Sequence, residues 1–213
     1  MSGPPPTPDT VLAAPLRVLA RRDADIRAVY RRCGLPAIRR HDPGFSGLLR
    51  IIVAQQVSAA SARAIIGRLE TVPPLVPESF LSLDEAALRR IGLSRQKVRY
   101  GRALAEDVMA GRIDFAAIAA LDDEAAIERL SQVSGIGRWS AEVYLLFALR
   151  RPDIWPADDL ALRVALQRLK SLSERPSRDE MMALGEDWRP YRSAAARLLW
   201  HFYSHPGVPS AGK

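Results

Sequence analysis

Apolar residues recur at spacings of three and four along almost the whole chain, the pattern of helices that bury one face. The first run extends from Leu16 to Cys33 and stops at Gly34-Leu35-Pro36. A second runs from Phe45 to Glu70, is strongly apolar at its start, and is broken by Pro73, Pro74 and Pro77. Asp84 is placed to cap a short helix to Ile91, which Gly92 ends. Ser94 caps a helix running to Ala110 before Gly111, and shorter ones are predicted at Phe115–Ala120 and Glu124–Ser131. Further helices are expected from Arg138 to Leu149, from Asp158 or Asp159 to Leu172, from Ser177 to Leu184 and from Trp188 to Tyr203. No alternating strand pattern and no repeat at solenoid spacing interrupts this series. About ten helices with short connectors predict an all-α fold.

Composition narrows the class. The 213 residues suffice for one domain or two small lobes, and 48% of them are hydrophobic. The formal charge of +7 and a sequence pI near 10.1 suit a polyanionic partner, because each Lys or Arg set against a phosphate releases counterions. An arginine-rich background would give the same charge. The single cysteine, Cys33, excludes an internal disulfide and an iron–sulfur cluster, which takes about four thiolates, and fits a reducing cytoplasm. The opening MSGPPPTPDTVLAAP lacks the form of a signal peptide. No stretch reaches the roughly 18 apolar residues of a membrane helix. Residues 1–14 are expected to be a disordered lead-in and 205–213 a frayed tail.

The sharpest local pattern is LSQVSGIGRWSAEVYLLFAL, residues 130–149. It predicts a helix, a tight Gly-x-Gly turn and a second helix. Gly135 and Gly137 permit positive φ and close backbone approach. The amides opening the second helix suit a phosphate, a contact that grips a nucleic-acid backbone without reading its sequence. A plain αα corner with glycines for tight packing is the alternative.

The surroundings of that turn decide between these readings. Leu130, Val133, Gly135, Ile136 and Gly137, followed beyond a proline-containing loop by an Asp, resemble the helix-hairpin-helix (HhH-GPD) DNA glycosylase superfamily. Within it, Gly135-Ile136-Gly137-Arg138-Trp139-Ser140-Ala141 is most similar to the DNA-3-methyladenine glycosylase II branch. The likeness extends from about Gly44 to Tyr203 and departs from the branch at Ser134, usually a proline. It implies a two-lobed helical body, here without the N-terminal β domain of longer relatives. The expected lobes are 15–121, carrying a DNA wedge, and 122–204, carrying the hairpin and the catalytic acid.

The resemblance also assigns residues. The amides of Gly135 and Gly137, and the amide or hydroxyl of Ser140, are expected to hold a DNA phosphate. The carbonyls of Ser131, Val133 and Gly135 are the positions of a structural monovalent cation, and no other cofactor is required. Gln55-Gln56-Val57-Ser58 matches the wedge turn, with Gln56 at the position that enters the gap left by a flipped base. Gln55 and Ser58 flank it as DNA-contacting residues. On charge pattern alone, either member of Asp158-Asp159 reads as a helix cap. Asp158 is the better-placed cap, and the family's catalytic acid falls on Asp159. Trp139 and Trp200 match pocket tryptophans, and Tyr144 and Trp155 are weaker candidates for the same cleft. Arg95, Lys97 and Arg99 form an expected solvated basic face near DNA.

These roles make chemical sense together. Breaking an N-glycosidic bond develops positive charge on the sugar, which a carboxylate stabilises. The same group helps activate water. An N-alkylated purine is already cationic, so it departs without a dedicated acid, and His41, His201 and His205 need no catalytic role. Aromatic faces attract such a base by about 0.5–2 kcal/mol each. Lyase relatives place a Schiff-base lysine after Gly-x-Gly-Arg; Trp139 stands there, which predicts a monofunctional enzyme leaving an abasic site. The expected protein is a monomeric, cytoplasmic, nucleoid-associated base-excision-repair glycosylase for alkylated purines such as 3-methyladenine and 7-methylguanine in duplex DNA. A glycosylase for deaminated or oxidised bases and a non-catalytic hairpin module are the alternatives.

Overall fold

The computed structural model describes residues 7–39, 41–71 and 74–205. Among them lie thirteen α-helices and one 3-10 turn, with no strand beyond a single bridge between Pro8 and Ala37. The all-α expectation holds. None of the described helices is long and apolar enough to cross a membrane.

The helices are α1 (Ala13–Arg22), α2 (Ala24–Cys33), α3 (Phe45–Ala54), α4 (Ala59–Glu70), α5 (Pro77–Ser82), α6 (Glu85–Ile91) and α7 (Arg95–Met109). They continue as α8 (Phe115–Ala120), α9 (Asp123–Ser131), α10 (Arg138–Phe147), α11 (Leu160–Leu169), α12 (Arg178–Glu186) and α13 (Arg192–Tyr203). Three exceed expectation. The run Leu16–Cys33 is two helices, because Asp23 turns extended (φ −122°, ψ 120°) and caps α2 through Oδ1. The run Phe45–Glu70 breaks at residues 55–58. The short α5 has a proline in its first turn, where the missing N–H costs nothing.

Chain contacts divide the protein into Met1–Arg40 with Arg151–Lys213, and His41–Arg150. The expected boundary at 121/122 is therefore not where the division falls. The hairpin belongs with α3–α10, and α1 and α2 belong with α11–α13.

In the first unit, α1 and α2 pack against α13, and α13 against α11. Leu16, Leu19, Ile26, Leu166, Leu198 and Leu199 are fully buried there. Residues 7–14 are ordered, not a loose lead-in. The Asp9 carboxylate pairs with Arg197 at 2.8 Å, and its amide donates to the Pro36 carbonyl. Residues 1–6 and 206–213, covered by the expected disordered ends, lie outside the described residues.

Asp23 ties this discontinuous unit together. Its Oδ1 accepts from the Asp25 and Ile26 amides, and its Oδ2 accepts from Trp188 Nε1 at 3.0 Å and faces Lys170 Nζ at 3.3 Å. Burial opposes ionisation of Asp23, but the Ile26 amide, the Trp188 indole and Lys170 outweigh it, so its pKa is lowered. Its contribution is complete above the unfolded carboxylate pKa and is lost as pH falls through the lower folded value, below about 4. Asp23→Ala removes the cap and leaves the buried Trp188 N–H unpaired, an expected loss of about 2–3 kcal/mol. Urea unfolding at pH 7 and pH 3 checks both statements, since the gap between wild type and variant should shrink at the lower pH.

In the second unit, α3 is the central element, packed by α4, α7 and α10. Phe45, Leu48, Leu49, Ile51, Ile52 and Val53 of that helix are all buried. Tyr144 of α10 is fully buried, and its hydroxyl accepts from the Gly44 amide at 2.7 Å. α9 packs on α10 to form the hairpin.

Candidate nucleic-acid interface and catalytic carboxylate

The turn between α9 and α10 is built as its sequence predicts. Ile136 is buried beneath it, and its amide bonds to the Val133 carbonyl at 2.9 Å. Gly135 has φ +85°, and a Cβ there would lie 2.3 Å from Cδ2 of Tyr100. That glycine is required both by conformation and by space. Gly137 serves differently: a Cβ on it would meet nothing within 4 Å. It starts α10 without a side-chain cap. The first ladder bond runs from the Ala141 amide to the Gly137 carbonyl, so the preceding helical amides lie ahead of that ladder at an exposed end.

Arg138 locks the two hairpin helices. It makes a two-pronged pair with Glu124 of α9, one contact at 2.8 Å, and donates to Glu142 of α10 at 3.0 Å. Glu124 chiefly, with Glu142, raises its pKa further. Its charge is thus engaged inside the hairpin.

The segment 55–58 is a turn between α3 and α4. Gln56 is exposed and has φ +54°, a left-handed conformation that costs an ordinary residue about 1–2 kcal/mol. Ser58 accepts from the Ser61 amide and caps α4, so its hydroxyl serves the fold. Gln55, expected as a DNA contact, is instead half-buried and turned inward: its Nε2 donates to the Gly135 carbonyl at 2.8 Å and to Ser140 Oγ at 3.0 Å. Ser140 is 4% exposed. Its hydroxyl is an interior link to Gln55. The basic face also differs from expectation. Lys97 turns to the Val53 carbonyl at 2.7 Å, with burial lowering its pKa, and Arg99 lies over the Tyr100 ring.

The expected cation carbonyls lie on this same turn. Val133 accepts from Ile136, and Gly135 from Gln55. A carbonyl oxygen carries two lone pairs, so each of these two can take a hard cation beside its present donor. Among the described residues no cluster of His, Cys, Asp or Glu is arranged to hold a metal.

The two acidic residues exchange the roles expected of them as caps. Asp159 is the N-cap of α11: its Oδ1 accepts from the Leu162 amide at 2.8 Å and from Trp200 Nε1 at 3.0 Å. Asp158 lies at the surface and faces Arg178 at 3.3 Å. Capping and catalysis do not exclude each other. The cap bond and the indole both fall on Oδ1, which orients the carboxylate.

The loop leading to Asp159 is fastened at several points. Ser193 Oγ accepts from the Ile154 amide at 2.9 Å and donates to the Arg151 carbonyl at 2.6 Å. Arg192 grips Asp153 through Nε and Nη2. Trp155 is 4% exposed, donates to the Met181 carbonyl and leaves no room for a side chain at Gly185. Trp155 and Tyr144 are therefore core residues, not pocket walls. Trp139, in contrast, is 39% exposed. Trp200 is a partner of the acid. Nothing in residue spacing signals the Trp200–Asp159, Ser193 or Gln55 contacts.

Residues 49–190 match the HhH-GPD family, described as superfamily base excision DNA repair proteins. The chain belongs to that superfamily. DNA-3-methyladenine glycosylase 1 of Schizosaccharomyces pombe is 34% identical over 161 residues, which cover 73% of this chain and 71% of that relative. The solved structure of the S. pombe 3-methyladenine DNA glycosylase in complex with abasic DNA superposes with a TM-score of 0.80 at 30% identity, covering 88% of this chain and 95% of that one. A DNA-3-methyladenine glycosidase from Bacillus halodurans gives 0.74 at 28% identity, covering 89% of each chain. The HhH-GPD assignment made from the hairpin motif thus agrees with similarity along most of the chain.

Proposed function

We propose that this HhH-GPD protein is a monofunctional DNA glycosylase of base excision repair that releases alkylated purines from duplex DNA. The observation that carries the reading is the Asp159 carboxylate, oriented by the Leu162 amide and the Trp200 indole. The names of its relatives support the alkylated-base class.

The protein binds duplex DNA as a monomer. The amides of Gly135, Gly137 and Ser140 take a backbone phosphate, a grip that is independent of sequence. The Ser131, Val133 and Gly135 carbonyls would hold a monovalent cation, which would add positive charge to the hairpin. The damaged nucleotide leaves the stack, at an unstacking cost of a few kcal/mol, and Gln56 fills the gap. Trp139 offers its face to the electron-poor base. As the glycosidic bond lengthens, Asp159 stabilises the positive sugar and directs water to it. The base takes the bonding electron pair, and an abasic site remains. Trp139 stands where lyase relatives place their lysine, so no Schiff base forms and the strand stays intact.

The test is base release from duplexes carrying single lesions. Release of 3-methyladenine and 7-methylguanine, with strand breaks only after added base or heat, is the expected result. Release confined to deaminated or oxidised bases would replace the substrate class. Spontaneous strand cleavage would overturn the monofunctional assignment.

A further inference from the structure

The Gln55 side chain joins two surface features that the chain keeps far apart. Its Nε2 donates to the Gly135 carbonyl, in the hairpin turn, and to the buried Ser140 hydroxyl, one turn into α10. A carbonyl can only accept, so the amide nitrogen must face it. On the far side of Gln55 sits Gln56, exposed at φ +54°, followed by the Ser58 cap of α4. The tip is therefore suspended between a cap and a side-chain tether to the hairpin. Gly135 is itself pressed against the Tyr100 ring, so the tether ends on a rigid point.

We propose that Gln55 is a positioning residue that makes the Gln56 turn and the phosphate-gripping hairpin one rigid element, so that seating the phosphate places the wedge. This rests on the reading of Gln56 as the inserted residue. Without the tether, a left-handed non-glycine residue at the tip is free to relax toward ordinary backbone angles. The hairpin would still take its phosphate, but the wedge would arrive by chance. The loss is therefore specific to DNA with a gap to fill.

The experiment uses the full chain and two duplexes of one sequence. One is undamaged; the other carries a stable tetrahydrofuran abasic site opposite 2-aminopurine, whose fluorescence reports insertion without any chemistry. Gln55→Met keeps the shape and loses the donor, and Gln55→Glu keeps the size but faces the Gly135 carbonyl with an oxygen. Both are expected to lower the preference for the abasic duplex by about tenfold, the usual scale of one lost, oriented contact. Affinity for the undamaged duplex should change less than about twofold. Gln56→Ala should give the same loss, and the double variant no more than either alone, because the two residues act through one event. Parallel weakening on both duplexes, or losses that add, would overturn the tether. A changed Gln56→Ala beside an unchanged Gln55→Met overturns the tether alone. An unchanged Gln56→Ala overturns the wedge reading and the tether with it.

Discussion

Asp159→Asn should slow single-turnover release of 7-methylguanine from duplex DNA by about 10²–10³-fold, the range seen when one preorganised electrostatic stabiliser is removed. Asparagine isolates the charge. Its side-chain oxygen still accepts from the Leu162 amide and the Trp200 indole, and Asn caps helices about as well as Asp. Alanine would confuse the result, since losing the cap alone costs about 1 kcal/mol. Folding and affinity for abasic duplex should accordingly stay close to wild type, and the defect should appear in the rate of bond cleavage. Release at the wild-type rate would remove Asp159 from the mechanism.

Gly135→Ala is expected to be the most damaging single methyl group on the DNA-binding side. Two costs add. The left-handed backbone (φ +85°) disfavours alanine by about 1–2 kcal/mol. The new Cβ would also meet the Tyr100 ring at 2.3 Å, and overpacking of this kind costs about 1–3 kcal/mol. The turn has to rearrange, and it carries the phosphate amides with it. Duplex affinity should fall by at least about tenfold, while the slope of log K against log salt should change little, because neutral amides displace no counterion. Adding Tyr100→Ala should restore part of the loss, because it relieves the contact but not the backbone angle. Fluorescence anisotropy across a salt series measures both quantities. An unchanged affinity would show that the hairpin does not hold DNA.

How far the sequence could be read depended on what kind of interaction set each feature. Elements defined by local chemistry were legible. Ser94 and Asp84 cap α7 and α6, Gly92 ends α6 in a left-handed conformation, and the Gly-x-Gly hairpin formed where its motif stood. Breaks without glycine or proline were not. At Asp23 apolar periodicity continues across the break, and the local cap on the Asp25 and Ile26 amides is reinforced by the Trp188 and Lys170 contacts from far along the chain. The 55–58 turn was legible only through the family motif, because a left-handed glutamine leaves no mark in composition.

Site residues divided along the same line. The motif put the catalytic expectation on Asp159, but the supporting premise that Asp158 does the capping was wrong. Which of two adjacent carboxylates bonds to a helix start depends on the path of a loop held by Ser193 and Arg192 from α13. Tyr144 and Trp155 could not be separated from Trp139 by sequence, since an aromatic looks alike whether it faces solvent or the core.

The discontinuity of the first unit bears on how the protein is made. Leu16, Leu19, Ile26 and Val29 of α1 and α2 leave the ribosome early, yet α13, which packs on both helices, is translated only after the whole of His41–Arg150. At 5–20 residues per second that delay is about 5–20 s, during which an apolar helix pair waits uncovered and open to chaperones. The intervening unit meanwhile has its own core and can fold cotranslationally. Asp159 and its Trp200 partner thus come into place only after the hairpin of the intervening unit has been made.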